Sequence, residues 1–277
     1  MSKLLAANFA RLKKDKPFWI CIIYMAAFAA FIKLSNYFNM KEYGYVIPLD
    51  SAMFTYCMFI GILLAVFISL FAGTEYSDGT IRNKLIVGHT RTAIYLSNLF
   101  ICGFAGLMMC LSFIAASLIV GIPLLGFFEA EVRVFLILAA LSFLMSLAFT
   151  SLIMLVSMLK QSRAVAAVIN ILGVLILLFA AAYIQARLEE PEYYDAYAYE
   201  SQSGEFVQTD KEPNPNYLKG TKREVYEFFL DFLPSGQTIQ LSQWSAHSPV
   251  LFAVSSVVIY LAATGIGVLA FNRKDIK

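Results

Sequence analysis

The chain has 277 residues, of which 60% are hydrophobic and 14% are charged, and its mean hydropathy is +0.70. Soluble domains carry about a quarter charged residues, so this composition excludes an ordinary water-soluble globule. The formal net charge of +2 is too small to indicate a nucleic-acid partner. All four cysteines fall in apolar stretches without metal-ligand spacing, which indicates packing residues rather than a disulfide framework or a metal site.

Six apolar stretches are long enough to cross a membrane, because a bilayer core of roughly 30 Å needs about 20 apolar helical residues. They cover residues 18–37, 52–73, 94–120, 134–158, 164–186 and 249–271. With a cytoplasmic N-terminus, the inner flanks hold thirteen Lys and Arg residues, and the short outer flanks hold only Lys33, Lys41 and Arg133. The positive-inside rule therefore predicts that both termini are cytoplasmic.

Residues 1–16 predict an amphipathic helix ahead of the first span. Its apolar residues fall near one helical face: Leu4, Leu5, Phe9 and Leu12. Such a helix suits the inner membrane interface, with Asp15 and Pro17 starting the first span. A cleaved signal peptide is the alternative, but the apolar run continues to full spanning length and five more spans follow.

The predicted spans lack the groups that intramembrane chemistry requires. Ion-coupled transporters and intramembrane enzymes carry ionisable residues at membrane depth, and none is expected here. The most polar members of the spans, which are Asn98, Asn170 and Thr264, are expected to form hydrogen bonds between helices. No G-x-x-x-x-G-K-[ST] phosphate loop occurs, so energy for uphill transport would have to come from a partner.

The loop at residues 74–92 is the longest cytoplasmic connection, with the sequence TEYSDGTIRNKLIVGHTRT. Ser77 or Asp78 can cap the N-terminus of a short helix there, and Gly88 can close it in a left-handed conformation. A further helix is expected to start near Thr90 or Thr92.

This short helix would have two different sides. Ile81 and Leu85 lie four residues apart and share an apolar face, while the polar residues point elsewhere: Arg82, Asn83 and Lys84. A solvated basic loop is the simplest interpretation. The combination of caps, apolar face and positive face instead favours a compact lever that transmits a partner's motion to the spans.

The run EYSDGTIRNKLIVGHTRTAIYLSNL, residues 75–99, resembles the cytoplasmic coupling region of ATP-binding-cassette (ABC) type 2 permeases of bacterial exporters. The resemblance extends to the six spans, the basic tail and the stretch FLPSGQTIQL, residues 232–241. It implies coupling to an ATPase through a set of loop residues, none of them catalytic: Glu75, Asp78, Thr80, Ile81, Arg82, Lys84 and Leu85.

The same resemblance implies the partners. Two ABC ATPase subunits would hold ATP and Mg, a second permease subunit, identical or homologous, would complete the pathway, and this chain would bind no cofactor. The coupling helix would dock in a cleft of the ATPase. The location would be the bacterial inner membrane, and the exported substrates would be peptides, lipids or drugs.

Residues 187–247 are too long for a simple connection and predict an extracellular segment of their own structure. The first half, to residue 220, is expected to be irregular, with a strand pair. A helix is expected from Thr221, as its cap, to Leu233, with Pro234 and Gly236 ending it. Lying on the membrane, plugging a pathway and packing on a neighbouring span are all consistent with this helix.

These patterns predict an all-α integral membrane protein divided into four segments. They are the interfacial helix (1–16), five spans with the coupling loop (17–186), the extracellular segment (187–247), and the sixth span with a cytoplasmic tail (248–277). The function expected is the permease subunit of an ATP-driven exporter. The alternatives are an energy-independent membrane scaffold or sensor and, with less support, an intramembrane enzyme.

Overall fold

The computed structural model describes residues 2–194, 198–200, 206–208 and 211–275, without the side chains of 198–200 and 206–208. The helices of this part are α1 Ser2–Lys14, α2 Lys16–Tyr43, α3 Cys57–Ser77, α4 Thr80–Ile86, α5 Arg91–Leu125, α6 Val132–Leu159, α7 Arg163–Leu188, α8 Thr221–Phe232, α9 Pro234–Ser242 and α10 Pro249–Arg273. The described residues between α7 and α8 form four short strands: β1 Tyr193–Tyr194, β2 Ala198–Glu200, β3 Phe206–Gln208 and β4 Glu212–Pro213.

Six helices have the length and apolar composition to cross a membrane, namely α2, α3, α5, α6, α7 and α10. The prediction of an all-α membrane protein with six transmembrane helices is therefore confirmed. We call the end of the bundle that carries α1 and the last turn of α10 the termini end, and the opposite end the far end. Within the bundle, α2 packs along α5, α10 packs along α6, and α3 lies between α6 and α7.

Two expectations about the spans are wrong. The second span begins as a helix at Cys57, because residues 49–56 form turns in which Ala52 adopts a φ of 60°. The spans also contain a buried ionisable residue, since Lys33 in α2 is fully buried. The hydropathy of α2 nevertheless remains high, because a single lysine is averaged with many apolar neighbours.

The N-terminal helix packs against protein through its apolar face. Leu4, Asn8 and Leu12 are the buried residues of α1, and the helix contacts α5. Helix α2 then starts as predicted, with the Asp15 Oδ1 atom accepting a hydrogen bond from the Phe18 N–H at 2.9 Å and a proline in its first turn. The apolar face of α1 is thus used for docking on the bundle.

The segment between α7 and α10 is more ordered than its composition suggested. Strand β1 pairs with β4 and strand β2 with β3, both antiparallel, which extends the single strand pair that was expected. Residues 195–197, 201–205 and 209–210, which also belong to the stretch expected to be irregular, lie outside the described residues. Helix α8 packs against α7, α9 and α10, so packing on neighbouring spans is the arrangement observed.

The helix boundaries at α8 and α9 correct the sequence expectation. Gly220, with a φ of 55°, precedes α8, and Thr221 is its first residue and forms no side-chain cap. Pro234 ends α8 but also begins α9, and Gly236 lies inside this second helix instead of ending the first. Residues 234–241 of α9 are all buried, against α3, α6, α7 and α8.

The contact between α8 and α9 depends on Gly236. A Cβ atom there would lie 2.1 Å from the Leu230 carbonyl oxygen, so Gly236→Ala must displace backbone. We expect this variant to lose about 1–3 kcal/mol of stability, measured as a lower thermal midpoint in detergent. Gly173→Ala is the matched control, because a Cβ there meets nothing within 4 Å. Equal midpoints for the two variants would contradict the close approach.

Candidate functional site

A short helix at the termini end connects two spans. Helix α4 follows Gly79, which has a φ of 65°, and neither Ser77 nor Asp78 caps it, contrary to expectation. Its end is as predicted: Gly88 has a φ of 93°, the Gly88 N–H bonds to the Leu85 carbonyl, and the His89 N–H bonds to the Lys84 carbonyl. The next helix starts at a Thr90 cap, also as predicted, with the Ala93 N–H bonded to the Thr90 Oγ1 atom at 3.2 Å.

A buried carboxylate lies at the centre of this site. Glu75, in the last turn of α3, is 1% exposed. Its Oε1 atom accepts hydrogen bonds from Arg11 of α1, at 2.8 Å, and from Lys84 of α4. Its Oε2 atom accepts from the Asn98 side chain of α5 at 2.8 Å. One carboxylate therefore joins four helices, and both of its oxygens have partners.

Amide groups extend this cluster between α1 and α5. The Asn8 Nδ2 atom donates to the Asn98 Oδ1 atom at 2.8 Å and to the Ser97 Oγ atom at 3.1 Å. The Lys84 Nζ atom donates to the Asn8 Oδ1 atom at 3.2 Å. We call Asn8, Arg11, Glu75, Lys84 and Asn98 the Glu75 network. Because its members are buried or partly buried, their polar groups depend on one another for hydrogen bonds.

Arg11 binds α3 at several points. Besides Glu75, its guanidinium donates to the Phe71 carbonyl and to the Thr74 Oγ1 atom, and it stacks 3.9 Å from the centre of the Phe71 ring. A planar guanidinium with several fixed donors suits this combination of carboxylate, carbonyl and ring. Arg11 thus fixes α1 to the end of the second span.

The residues that the sequence suggested for coupling separate into three groups. Glu75 and Lys84 belong to the network. Ile81 is 1% exposed and Leu85 is partly buried, so the side that was expected to dock a partner instead packs into this chain's own core. Thr80 is partly exposed, and Asp78 and Arg82 are exposed. The expectation of an accessible apolar face centred on Ile81 is therefore wrong.

The predicted site does not include the apolar residues that are exposed at the end of α4. Ile86, the last residue of α4, and Val87, its C-cap, are each 76% exposed. The prediction also leaves out Asn8 and Arg11, although their spacing of three residues places them on one face of α1. The exposed surface of α4 and its C-cap thus includes Arg82, Asn83, Ile86 and Val87.

Two of the three polar span residues bond between helices as predicted. Asn98 bonds to Glu75 and Asn8, and the Asn170 Nδ2 atom of α7 donates to the Oγ atoms of Ser69 and Ser157, both at 2.8 Å. The expectation is wrong for Thr264, whose buried Oγ1 atom has no hydrogen-bond partner among the described residues.

The C-terminal tail forms hydrogen bonds with other helices at the termini end of the bundle. The Arg91 guanidinium donates to the Phe271 carbonyl at 3.2 Å, and the Lys274 Nζ atom donates to the Tyr76 hydroxyl at 2.9 Å and the Met158 carbonyl at 3.1 Å. Burial, reinforced by the charge of Lys160, lowers the pKa of Lys274 from 10.5 to about 8. The ends of α3, α5, α6 and α10 are therefore joined beside the Glu75 network.

Comparison with known protein families matches residues 4–177 to the family described as ABC-2 family transporter protein. The match includes most of α1, all of α4 and every member of the Glu75 network. A search of curated proteins found no significant match. Since the matched region covers more than half of the 277 residues, the chain belongs to the ABC-2 transporter family, and it is a multi-pass membrane permease.

Proposed function

We propose that the chain is the permease subunit of an ATP-driven exporter, and that a separate ATPase docks on the exposed surface of α4. The observation that carries the proposal is the division of α4 into two sides. One side has the buried Ile81 and contacts α3 and α5, and its Lys84 bonds to Asn8 of α1 and Glu75 of α3. The other side exposes Ile86 and the following Val87 beside Arg82. A helix with these properties can receive a force and pass it to several helices.

The proposed mechanism is a rigid lever. When ATP binding moves the ATPase, α4 moves with it, and the Glu75 network carries the displacement to the ends of α3 and α5. Paired and hydrogen-bonded charges resist separation when buried, so the four helices move as one body. Within the original set of coupling residues, we assign Glu75, Lys84, Ile81 and Leu85 to the lever, and Asp78, Thr80 and Arg82 to the surface facing the ATPase.

The partners in this proposal are two ATPase subunits, which hold ATP and Mg, and a second permease subunit, identical or homologous. Family membership supports an ATPase partner in general. Peptides, lipids or drugs are the proposed substrates, as the resemblance to bacterial exporter permeases implies. The chain itself would bind no cofactor.

Purification with a candidate ABC ATPase, chosen as one encoded beside this chain's gene, tests the function directly. We expect the two chains to elute as one complex in detergent, and ATP hydrolysis by the ATPase to change when the permease is present. The permease alone should hydrolyse no ATP, since its sequence has no phosphate loop. Hydrolysis by the homogeneous permease, or elution of the two chains as separate species, would contradict the proposal.

The termini end is proposed to face the bacterial cytoplasm, as the excess of Lys and Arg at that end supports. Asn83 and Lys222 are exposed residues at opposite ends of the molecule. In intact cells, a membrane-impermeant thiol reagent should label Lys222→Cys, and should label Asn83→Cys only after permeabilisation. The reverse pattern would invert the orientation.

A further inference from the structure

A lysine inside the first span is not used by the coupling site. Lys33 of α2 is 0% exposed, and its Nζ atom donates to the carbonyl oxygens of Leu49, at 2.7 Å, and Ser51, at 2.6 Å. An ionisable residue within a membrane span is costly to bury and commonly serves a function. Lys33 lies toward the far end, whereas the Glu75 network lies at the termini end. Its role must therefore be sought separately.

The turn that Lys33 binds is also bound to a second connection. Asp50 lies between the two carbonyl groups that Lys33 contacts. The Asp50 Oδ2 atom accepts hydrogen bonds from the N–H groups of Glu129, at 3.1 Å, and Ala130, at 2.6 Å. The connection from α2 to α3 is thereby joined to the connection from α5 to α6. Both connections lie at the far end of the bundle.

Close packing and backbone strain show that this turn is held in place by its surroundings. A Cβ atom at Gly121 of α5 would lie 2.4 Å from the Leu49 Cδ1 atom and 3.4 Å from the Lys33 stem. Ala52, in the same turn, has a φ of 60°, which non-glycine residues rarely adopt. Strained backbone of this kind persists only where neighbouring contacts fix it. Lys33 provides two of those contacts.

The contact that Lys33 and Asp50 make between the two far-end connections can open as well as close. The Asp50 Oδ1 atom is buried and has no hydrogen-bond partner among the described residues, so the closed contact leaves one acceptor of Asp50 without a hydrogen bond. Separation would expose Lys33 and Asp50 to water, which solvates both charges and offsets the loss of their hydrogen bonds. Two arrangements of similar free energy are what a movable closure requires.

We propose that Lys33 and Asp50 form a far-end clasp, which closes the pathway at that end and opens during the transport cycle. The proposal rests on the transport function proposed above. In the closed state, Lys33 holds the α2–α3 connection, and Asp50 holds the α5–α6 connection against it. In the open state, the two connections separate and the buried Leu49 becomes accessible from the far side.

Thiol labelling of the purified chain tests the closure without any partner. The native cysteines are buried, so the unmodified chain gives the background rate. Leu49→Cys should react slowly with a membrane-impermeant maleimide. Adding Lys33→Met, which keeps the length but removes the charge and both hydrogen bonds, should raise the rate about fivefold or more, because local opening becomes easier. Lys41→Met, at an exposed lysine of the same helix, should leave the rate unchanged.

A second pair of variants guards against a folding defect. If the thermal midpoint shows that Lys33→Met or Leu49→Cys does not fold, Asp50→Ala with Met53→Cys replaces them. Asp50→Ala removes the acceptor of both N–H groups, and Met53 is also buried in this turn. If the introduced cysteine is labelled at the same rate with and without the substitution at Lys33 or Asp50, the proposed closure is contradicted.

The movement is tested in the complex with the ATPase and with Lys33 intact. Trapping the ATP-bound state should raise the labelling of Leu49→Cys. A complex that assembles and hydrolyses ATP but labels at one constant rate would mean that the clasp is a static lock, which overturns the proposal. If the proposed permease function itself is wrong, the chain should form no complex with the ATPase, which is a different result from a constant labelling rate.

Discussion

Glu75→Ala is expected to destabilise the chain by about 3–5 kcal/mol, because it leaves two partly buried cations without their shared carboxylate. Arg11 would retain only its contacts with α3, and Lys84 would retain only its bond to Asn8. The thermal midpoint in detergent should fall. Limited proteolysis after Lys13 and Lys14 should also become faster, because α1 loses one of its attachments to α3.

The effect of Glu75→Ala on coupling is a separate expectation. The exposed surface of α4 is unchanged, so the ATPase should still bind, but its hydrolysis should no longer respond to the permease. Glu42→Ala is the matched control, since Glu42 is an exposed carboxylate near the end of α2, at the far end, away from both α4 and the Glu75 network. If both variants behave alike, the network does not act as an anchor.

A double-mutant cycle shows whether the charges act together. Arg11→Met alone should leave Glu75 with Lys84 and Asn98 as partners. Combined with Glu75→Ala, it should cost less than the sum of the two single changes, because the second substitution removes a charge that has already lost its partner. Additive losses of stability would indicate that Arg11 and Glu75 stabilise the fold independently.

The spans could be predicted from sequence because lipid imposes one strong rule on every residue of a long helix. The Glu75 network could not, since it depends on contacts between residues far apart in the chain, such as Asn8 with Asn98. Local spacing shows which side chains share a helical face, but it does not show which neighbour that face meets. The family resemblance identified Glu75 without indicating that its partners were Arg11 and Asn98.

The errors at Ile81 and Lys33 have a common physical cause. An apolar face on a short helix can bury itself in its own chain or in a partner, and both give the same sequence pattern. A lysine near a span end can likewise extend to water or bond inward to carbonyl groups. In each case the decision depends on a segment distant in sequence. The turn at residues 49–56, for example, provides the acceptors that keep Lys33 buried.

Two substitutions on α4, Ile81→Asp and Ile86→Asp, should have opposite consequences. Ile81 is buried, so an aspartate there would be an unpaired charge in the core and should lower the thermal midpoint strongly. Ile86 is exposed, so an aspartate there should leave the midpoint of the isolated chain unchanged. It should instead abolish assembly with the ATPase, because burying an unpaired charge in a dry interface costs about 2–5 kcal/mol.

Phe127→Asp is the control for the loss of an exposed apolar side chain. Phe127 is 80% exposed and lies in the connection between α5 and α6, at the far end. Its substitution should affect neither the midpoint nor the assembly. If Ile86→Asp binds and stimulates the ATPase as the unmodified chain does, the exposed end of α4 is not the docking surface. If Ile81→Asp folds normally but fails to assemble, the buried face of α4 must turn outward on binding, and α4 cannot be a lever fixed to its own spans.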